Sequence, residues 1–297
     1  GSGGAPAPAV ILPKASLEAG EVAILVNDQD AQSLEVAAYY QQERGIPADN
    51  VVTLSFPAGS DVLPAAAFAL LQDEVEAALG PEIQAFAITW TKPYRVDCMS
   101  VTAAFSLGFD TSYCNLGGGC NPTASVDYFD SSSFAPFSDH GLRPAMSIVG
   151  SSAAEALALI DRGVAADGTF PSGDGYFVRT TDPARSVRWS SFVSTVDSWT
   201  QAGSLSLSYI DNSSGSGTDY IESTADVLFY FTGLASVPAI DTNTYLPGAV
   251  ADHLTSYGGQ VPDSGQMSIA RWLEAGATAS FGTVVEPCNY TQKFPDT

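Results

Sequence analysis

The chain has 297 residues, enough for one large domain or two lobes, and 45% of them are hydrophobic. Its 33 acidic residues outnumber 11 basic ones, giving a formal net charge of -22 with only Lys14, Lys92 and Lys293 as lysines. Such a surface repels nucleic-acid phosphates and anionic lipid, and the longest apolar runs, such as 63–71, are too short to cross a bilayer.

Residues 1–20 open with GSGGAPAPAV and read as a flexible leader. The folded part is expected over 21–297, as one α/β domain or as lobes 21–150 and 151–297. EVAILVN (21–27) reads as a strand. The helix after it carries Leu34, Ala37 and Ala38 on one face, with Asp30 as N-cap and Gly45 and Pro47 as its stop. NVVTLSF (50–56) is a second strand. A helix follows with Phe68, Leu71, Val75 and Ala78 in its stripe, and IQAFAITW (83–90) is a third strand. Near-continuous apolar strands alternating with amphipathic helices predict a mostly parallel sheet with helices on both faces.

From Thr91 to about Met146 the alternation breaks into a long loop rich in Gly, Pro, Ser and Asp. A loop of that length is functional or pinned by crosslinks. The alternation then resumes. Ala153, Leu157, Ile160 and Val164 stripe a helix, 175–180 is a strand, and Val187, Phe192, Val196 and Trp199 stripe another helix. Residues 205–211 and 225–233 are strands, the latter central. PGAVADHLTSYGG and MSIARWLEAGA read as helices, and 279–286 as the last strand. No repeat of fixed period is visible.

The four cysteines, Cys98, Cys114, Cys120 and Cys288, form no C-x-x-C pair, so a zinc-ribbon or thioredoxin-type role has no support. An even count in an acidic, lysine-poor chain suggests an exported protein with disulfides. Cys114 and Cys120 flank the flexible NLGGG and are expected to pair, which leaves Cys98 for Cys288. That long-range bridge would be worth about 4–5 kcal/mol on the chain-entropy model.

Ligands of open α/β sheets sit beyond the carboxyl ends of the strands. This nominates Asn27, Asp28, Thr91, Lys92, Arg95, Thr232, Gly233, Glu286 and Cys288. The common nucleophile, phosphate-loop and zinc motifs are missing. The one nucleophilic arrangement left is Cys288 or Cys98 with His140 or His253 as base, and, for Cys288, Asn289 as an orienting or oxyanion group. Asp139 would orient His140, and His253 would sit on a helix beside Val250, Leu254 and Tyr257. A cystine cannot attack, so this reading competes with the disulfides. Asp127 and Asp130, and Asp211 and Asp219, offer oxygens for calcium. Neither pair has EF-hand spacing, so they read as solvated loop carboxylates and no cofactor is expected.

Four stretches, TKPYRVDCMSVTAAFSLGFDTSYC (91–114), SDHGLRPAMSIVG (138–150), LPGAVADHLTSYGG (246–259) and SFGTVVEPCNYTQKFPD (280–296), together resemble an uncharacterised family of exported bacterial proteins. Some members of that family carry PEP-CTERM sorting tails. The resemblance runs from residue 21 and brings no established activity. It implies that such chains continue past KFPD with a further helical and loop segment. The second half also resembles, more remotely, the caspase–gingipain α/β fold. Thr232-Gly233 stands where that fold would have a catalytic His-Gly, so no catalytic residue is carried over. The leading expectation is an exported or cell-surface, non-catalytic binding or structural protein with protein partners, such as a subunit of an extracellular or periplasmic assembly; a cysteine-peptidase-like hydrolase is the alternative.

Overall fold

Residues 16–114, 125–199 and 205–295 are described by a computed structural model. The first half runs β1 (Val22–Asn27), α1 (Ala31–Arg44), β2 (Val51–Leu54), β3 (Val62–Leu63), α2 (Ala65–Ala78), β4 (Ala85–Ile88), β5 (Arg95–Val96), β6 (Met99–Ser100), α3 (Val101–Leu107), α4 (Pro136–His140) and β7 (Ala145–Ser147). The second runs α5 (Ala153–Ala166), β8 (Asp174–Arg179), α6 (Trp189–Ser198), β9 (Ser206–Asp211), β10 (Val227–Thr232), β11 (Tyr245–His253) and α7 (Ala270–Glu274).

Local chemistry explains the early elements. Asp30 caps α1 by accepting from the Gln32 amide at 3.0 Å, and Gly45 ends it in the left-handed region, φ 62°. The buried face of α1 is Ser33, Val36 and Ala37 rather than the stripe starting at Leu34, which is exposed. The face is turned because Ser33 is drawn inward to hydrogen-bond the end of β1. In α2 the buried residues are Phe68, Leu71 and Val75, as the 3–4 spacing predicts, while Ala78 is exposed.

Two four-stranded parallel sheets result, in the orders β2-β1-β4-β7 and β9-β8-β10-β11. Each sheet places its strands second-first-third-fourth in chain order. The likeness extends to side chains. Ser33 Oγ accepts from the Asn27 amide at 2.9 Å and lies 2.8 Å from Thr89 Oγ1. Ser186 Oγ accepts from the Thr180 amide at 3.0 Å and lies 2.9 Å from Thr180 Oγ1. Gln32 Nε2 then donates to the Gly150 carbonyl beyond β7, and Arg185 Nε to Thr255 Oγ1 beyond β11. The halves thus share a topology and a hydrogen-bonded strand-to-helix turn, although the sequence shows no repeat. A small sheet, β3-β5-β6, lies beside the first.

The first core centres on Phe68, Phe86, Trp90 and Phe105, with edge-to-face rings at 4.9 Å for Phe68–Phe105 and 5.0 Å for Phe56–Trp90. The second centres on Tyr230 and Trp272, whose rings are 5.0 Å apart. Tyr94 and Val149 from the first half pack with Val261, Leu273 and Val284 from the second, forming a seam. Helix α5 bridges it: Ala156 and Ile160 pack on Val36 of α1, and Arg162 donates to the Leu273 carbonyl at 2.8 Å.

Two predicted elements are different in the structure. The helix expected from PGAVADHLTSYGG is the parallel strand β11, paired along β10 from Phe229↔Val250 to Thr232↔His253. A strand buried on both faces has no alternation, so its short apolar run mimics a helical stripe. The last strand expected at 279–286 is reduced to one bridge, Val250↔Ala279. Residues 280–286 instead run irregularly against the 258–259 turn, where the Gly259 amide donates to the Thr283 carbonyl at 2.9 Å. A Cβ on Gly282 would lie 2.3 Å from the Gly259 nitrogen, so the two backbones can meet only without side chains there.

Candidate functional site: an apolar cleft at the seam

A disulfide joins Cys98 to Cys114 and pins the loop after β5. The expected pairings Cys114–Cys120 and Cys98–Cys288 are therefore corrected. The turn carrying Cys98 returns, through α3, to within bonding range of Cys114, which loop length alone does not reveal. Cys288 is also disulfide-bonded, while Cys120 lies outside the described residues. The Cys288 sulfur thus has no thiolate to offer a histidine.

His253 is sealed rather than catalytic. Trp272 Nε1–H donates to its Nδ1 at 2.9 Å, so Nε2 carries the proton and donates to the Met267 carbonyl at 3.0 Å. Burial holds its pKa down to about 4, with nearby Arg188 and Arg185 adding to the depression. Its neighbour Asp252 is 2.7 Å from Arg188, both almost fully buried. Burial pushes the Asp252 carboxyl up, and Arg188 offsets this only in part. Arg188 also donates to the Thr232 carbonyl at 3.1 Å and the Pro295 carbonyl at 3.3 Å, tying the C-terminal segment to the second sheet. His140 lies 3.0 Å from Ser131 Oγ, and Asp139, expected to orient it, accepts instead from Ser133 Oγ at 2.6 Å.

The strand-end nominees scatter. Asn27 is fully buried and accepts from the Gln29 and Phe56 amides, with Asp28 exposed beside it. Lys92 pairs with Asp61 at 2.7 Å, and Arg95 Nη1 donates to the Asp97 carbonyl. Thr232 is buried, and a Cβ on Gly233 would stand 1.9 Å from the Arg185 carbonyl oxygen, so the second sheet's switch point is filled by backbone. Asp219 accepts from Thr181 and Asn212, and Asp211 from the Ser213 amide and Arg179. Asp127 and Asp130 are exposed, and among the described residues no three His, Cys, Asp or Glu side chains cluster as metal ligands would.

What the structure does bring together is a cleft of about 760 Å³ along the seam. One wall is Thr91, Tyr94 and residues 98–103; another is β7; the third is residues 280–287 and 292–295. Leu107, Tyr113, Val126, Phe129, Met146 and Phe281 all line it, and these are half of the twelve large hydrophobics exposed among the described residues. Exposed apolar side chains gathered in this way are a common feature of contact sites. Glu286 and Lys293 are the charged lining residues. Glu286 accepts from the Cys288 amide at 2.8 Å. Burial pushes the Lys293 ammonium down, opposed by Glu286, and it lies 5.4 Å from the Tyr290 ring centre. Of the nominees only Thr91, Cys98 and Glu286 reach this cleft. Its apolar lining was missed because Met146, Phe281 and Phe129 read singly as ordinary strand or loop residues.

Compared with protein-family models, curated proteins and solved structures, the chain matches none.

Proposed function

We propose that this chain is an exported binding protein, acting through protein contacts at the seam cleft, as a surface protein or a subunit of an extracellular or periplasmic assembly. The carrying observation is the gathering of half the exposed large hydrophobic side chains around one cleft with two charged lining residues. All four stretches that carry the resemblance to exported bacterial proteins contribute to that wall, through Tyr94, Met146, Gly259 and Phe281 among others. The Cys98–Cys114 disulfide favours an oxidising compartment. Among the described residues no helix is long and apolar enough to span a membrane.

The test is binding of anilinonaphthalene sulfonate, whose fluorescence rises in apolar sites. Saturable binding is expected, lost in Met146→Asp and in Phe281→Asp at unchanged circular dichroism. Equal binding by both variants and the parent would overturn the assignment. So would alkylation of Cys288 by iodoacetamide in the unreduced protein, which would favour a thiol enzyme.

A further inference from the structure

Strand β7 is an edge strand of the first sheet and also a wall of the cleft. In a parallel ladder alternate residues bond to alternate sides. The Pro144 carbonyl accepts from Phe86 at 2.9 Å and the Ile148 amide donates to Ile88 at 2.8 Å, so residues 144, 146 and 148 face β4. Ala145 and Ser147 therefore turn their backbone groups away from it. The Ala145 amide is taken by Ser106 Oγ at 2.9 Å. The Ser147 amide and the carbonyls of Ala145 and Ser147 remain on a side with no neighbouring strand among the described residues. Met146 between them is 65% exposed.

A cleft that offers both apolar side chains and a free strand edge suits an occupant with a backbone of its own. An acyl chain or apolar small molecule would bury those groups without partners, which costs binding. A polypeptide strand would pair with them. Charge narrows the choice further. The cleft itself holds one carboxylate and one ammonium, but the chain around it carries a net -22. A second copy would bring the same charge and be repelled, whereas basic residues flanking an apolar strand would be attracted.

Resting on the binding role above, we propose that the cleft takes an extended segment of a partner protein, apolar at alternate positions and flanked by Lys or Arg, which adds as a strand to the edge of β7.

The probe is a fluorescein-labelled peptide of alternating valine and threonine between paired lysines, followed by fluorescence anisotropy on the full chain. Two further peptides carry methyl groups on one or the other alternate set of backbone nitrogens. One methylated set should weaken binding by at least about tenfold, the equivalent of one or two hydrogen bonds, and the other should bind as the parent does. Glutamate flanks should weaken it comparably, more at low salt than at high. Ser147→Pro, which deletes the free amide at an edge position, should lower affinity with little change in melting temperature, and Met146→Asp should abolish binding. Equal affinity for both methylated peptides would overturn strand pairing. Binding of anilinonaphthalene sulfonate without any peptide would overturn it too, while leaving the cleft as a binding site. Loss of both, with Met146→Asp indistinguishable from the parent, would remove the cleft itself.

Discussion

Acidification from pH 7 to pH 4 should destabilise this protein through His253. His253 is buried, neutral and bonded through both ring nitrogens, with its pKa lowered to about 4 from an unfolded value near 6.5. The unfolded state binds the proton first, so the contribution is complete above pH 6.5 and is lost as pH falls toward 4. A gap of about 2.5 units sets the ceiling near 3.4 kcal/mol. Relative to pH 7 the loss is about 2 kcal/mol at pH 5 and about 3 at pH 4. Asp252 next door titrates with the opposite sign, since burial raises its pKa. The clean comparison is therefore with His253→Gln, which keeps Asp252 and supplies a donor and an acceptor that do not titrate. Urea melts at pH 7, 6, 5 and 4 should show parent and variant curves converging by those amounts as the pH falls. Parallel curves, or a titration of the His253 imidazole itself near 6.5 by NMR of the folded protein, would refute the reasoning.

Removing Arg188 alone, as Arg188→Met, should cost about 3–5 kcal/mol, because it strands the buried Asp252 carboxylate. The double variant Arg188→Met/Asp252→Leu should recover much of that in urea melts, and additive losses would count against a coupled pair. Gly233→Ala should cost about 1–3 kcal/mol, since its Cβ would overlap the Arg185 carbonyl. Gly265→Ala, with open space around it, should melt like the parent. Cys98→Ser and Cys114→Ser should each cost about 3 kcal/mol, the value for a loop of this length. Combining those two should add little, whereas Cys98→Ser with Cys288→Ser should be additive; the reverse pattern would restore the long-range bridge.

Much of the α/β architecture was legible locally. Asp30 and Gly45 bound α1 by capping chemistry that needs no tertiary contact, and the Phe68, Leu71, Val75 stripe follows from helical period alone. The run at 22–27 becomes a strand because it is short and apolar, and 206–211 does so with Leu207 and Tyr209 alternating with serines. Residues 245–253 were not legible, since only pairing with β10 decides between strand and helix for a segment covered on both faces. Leu34 misled because Ser33 gains more by bonding Asn27 and Thr89 than by facing water.

By itself, then, the sequence determined the compositional class, the alternation of strands and helices, and the presence of cystines in an acidic chain. Tertiary structure alone decided which sulfur bonds Cys98, the repeated strand order of the two sheets, and the meeting of Met146, Phe129 and Phe281 around one cleft. The reason is range: propensity and capping act over a few residues, whereas the cleft joins segments more than a hundred positions apart, the sheet orders need pairing between distant strands, and even the Cys98–Cys114 bond, sixteen residues apart, depends on how α3 folds the chain back.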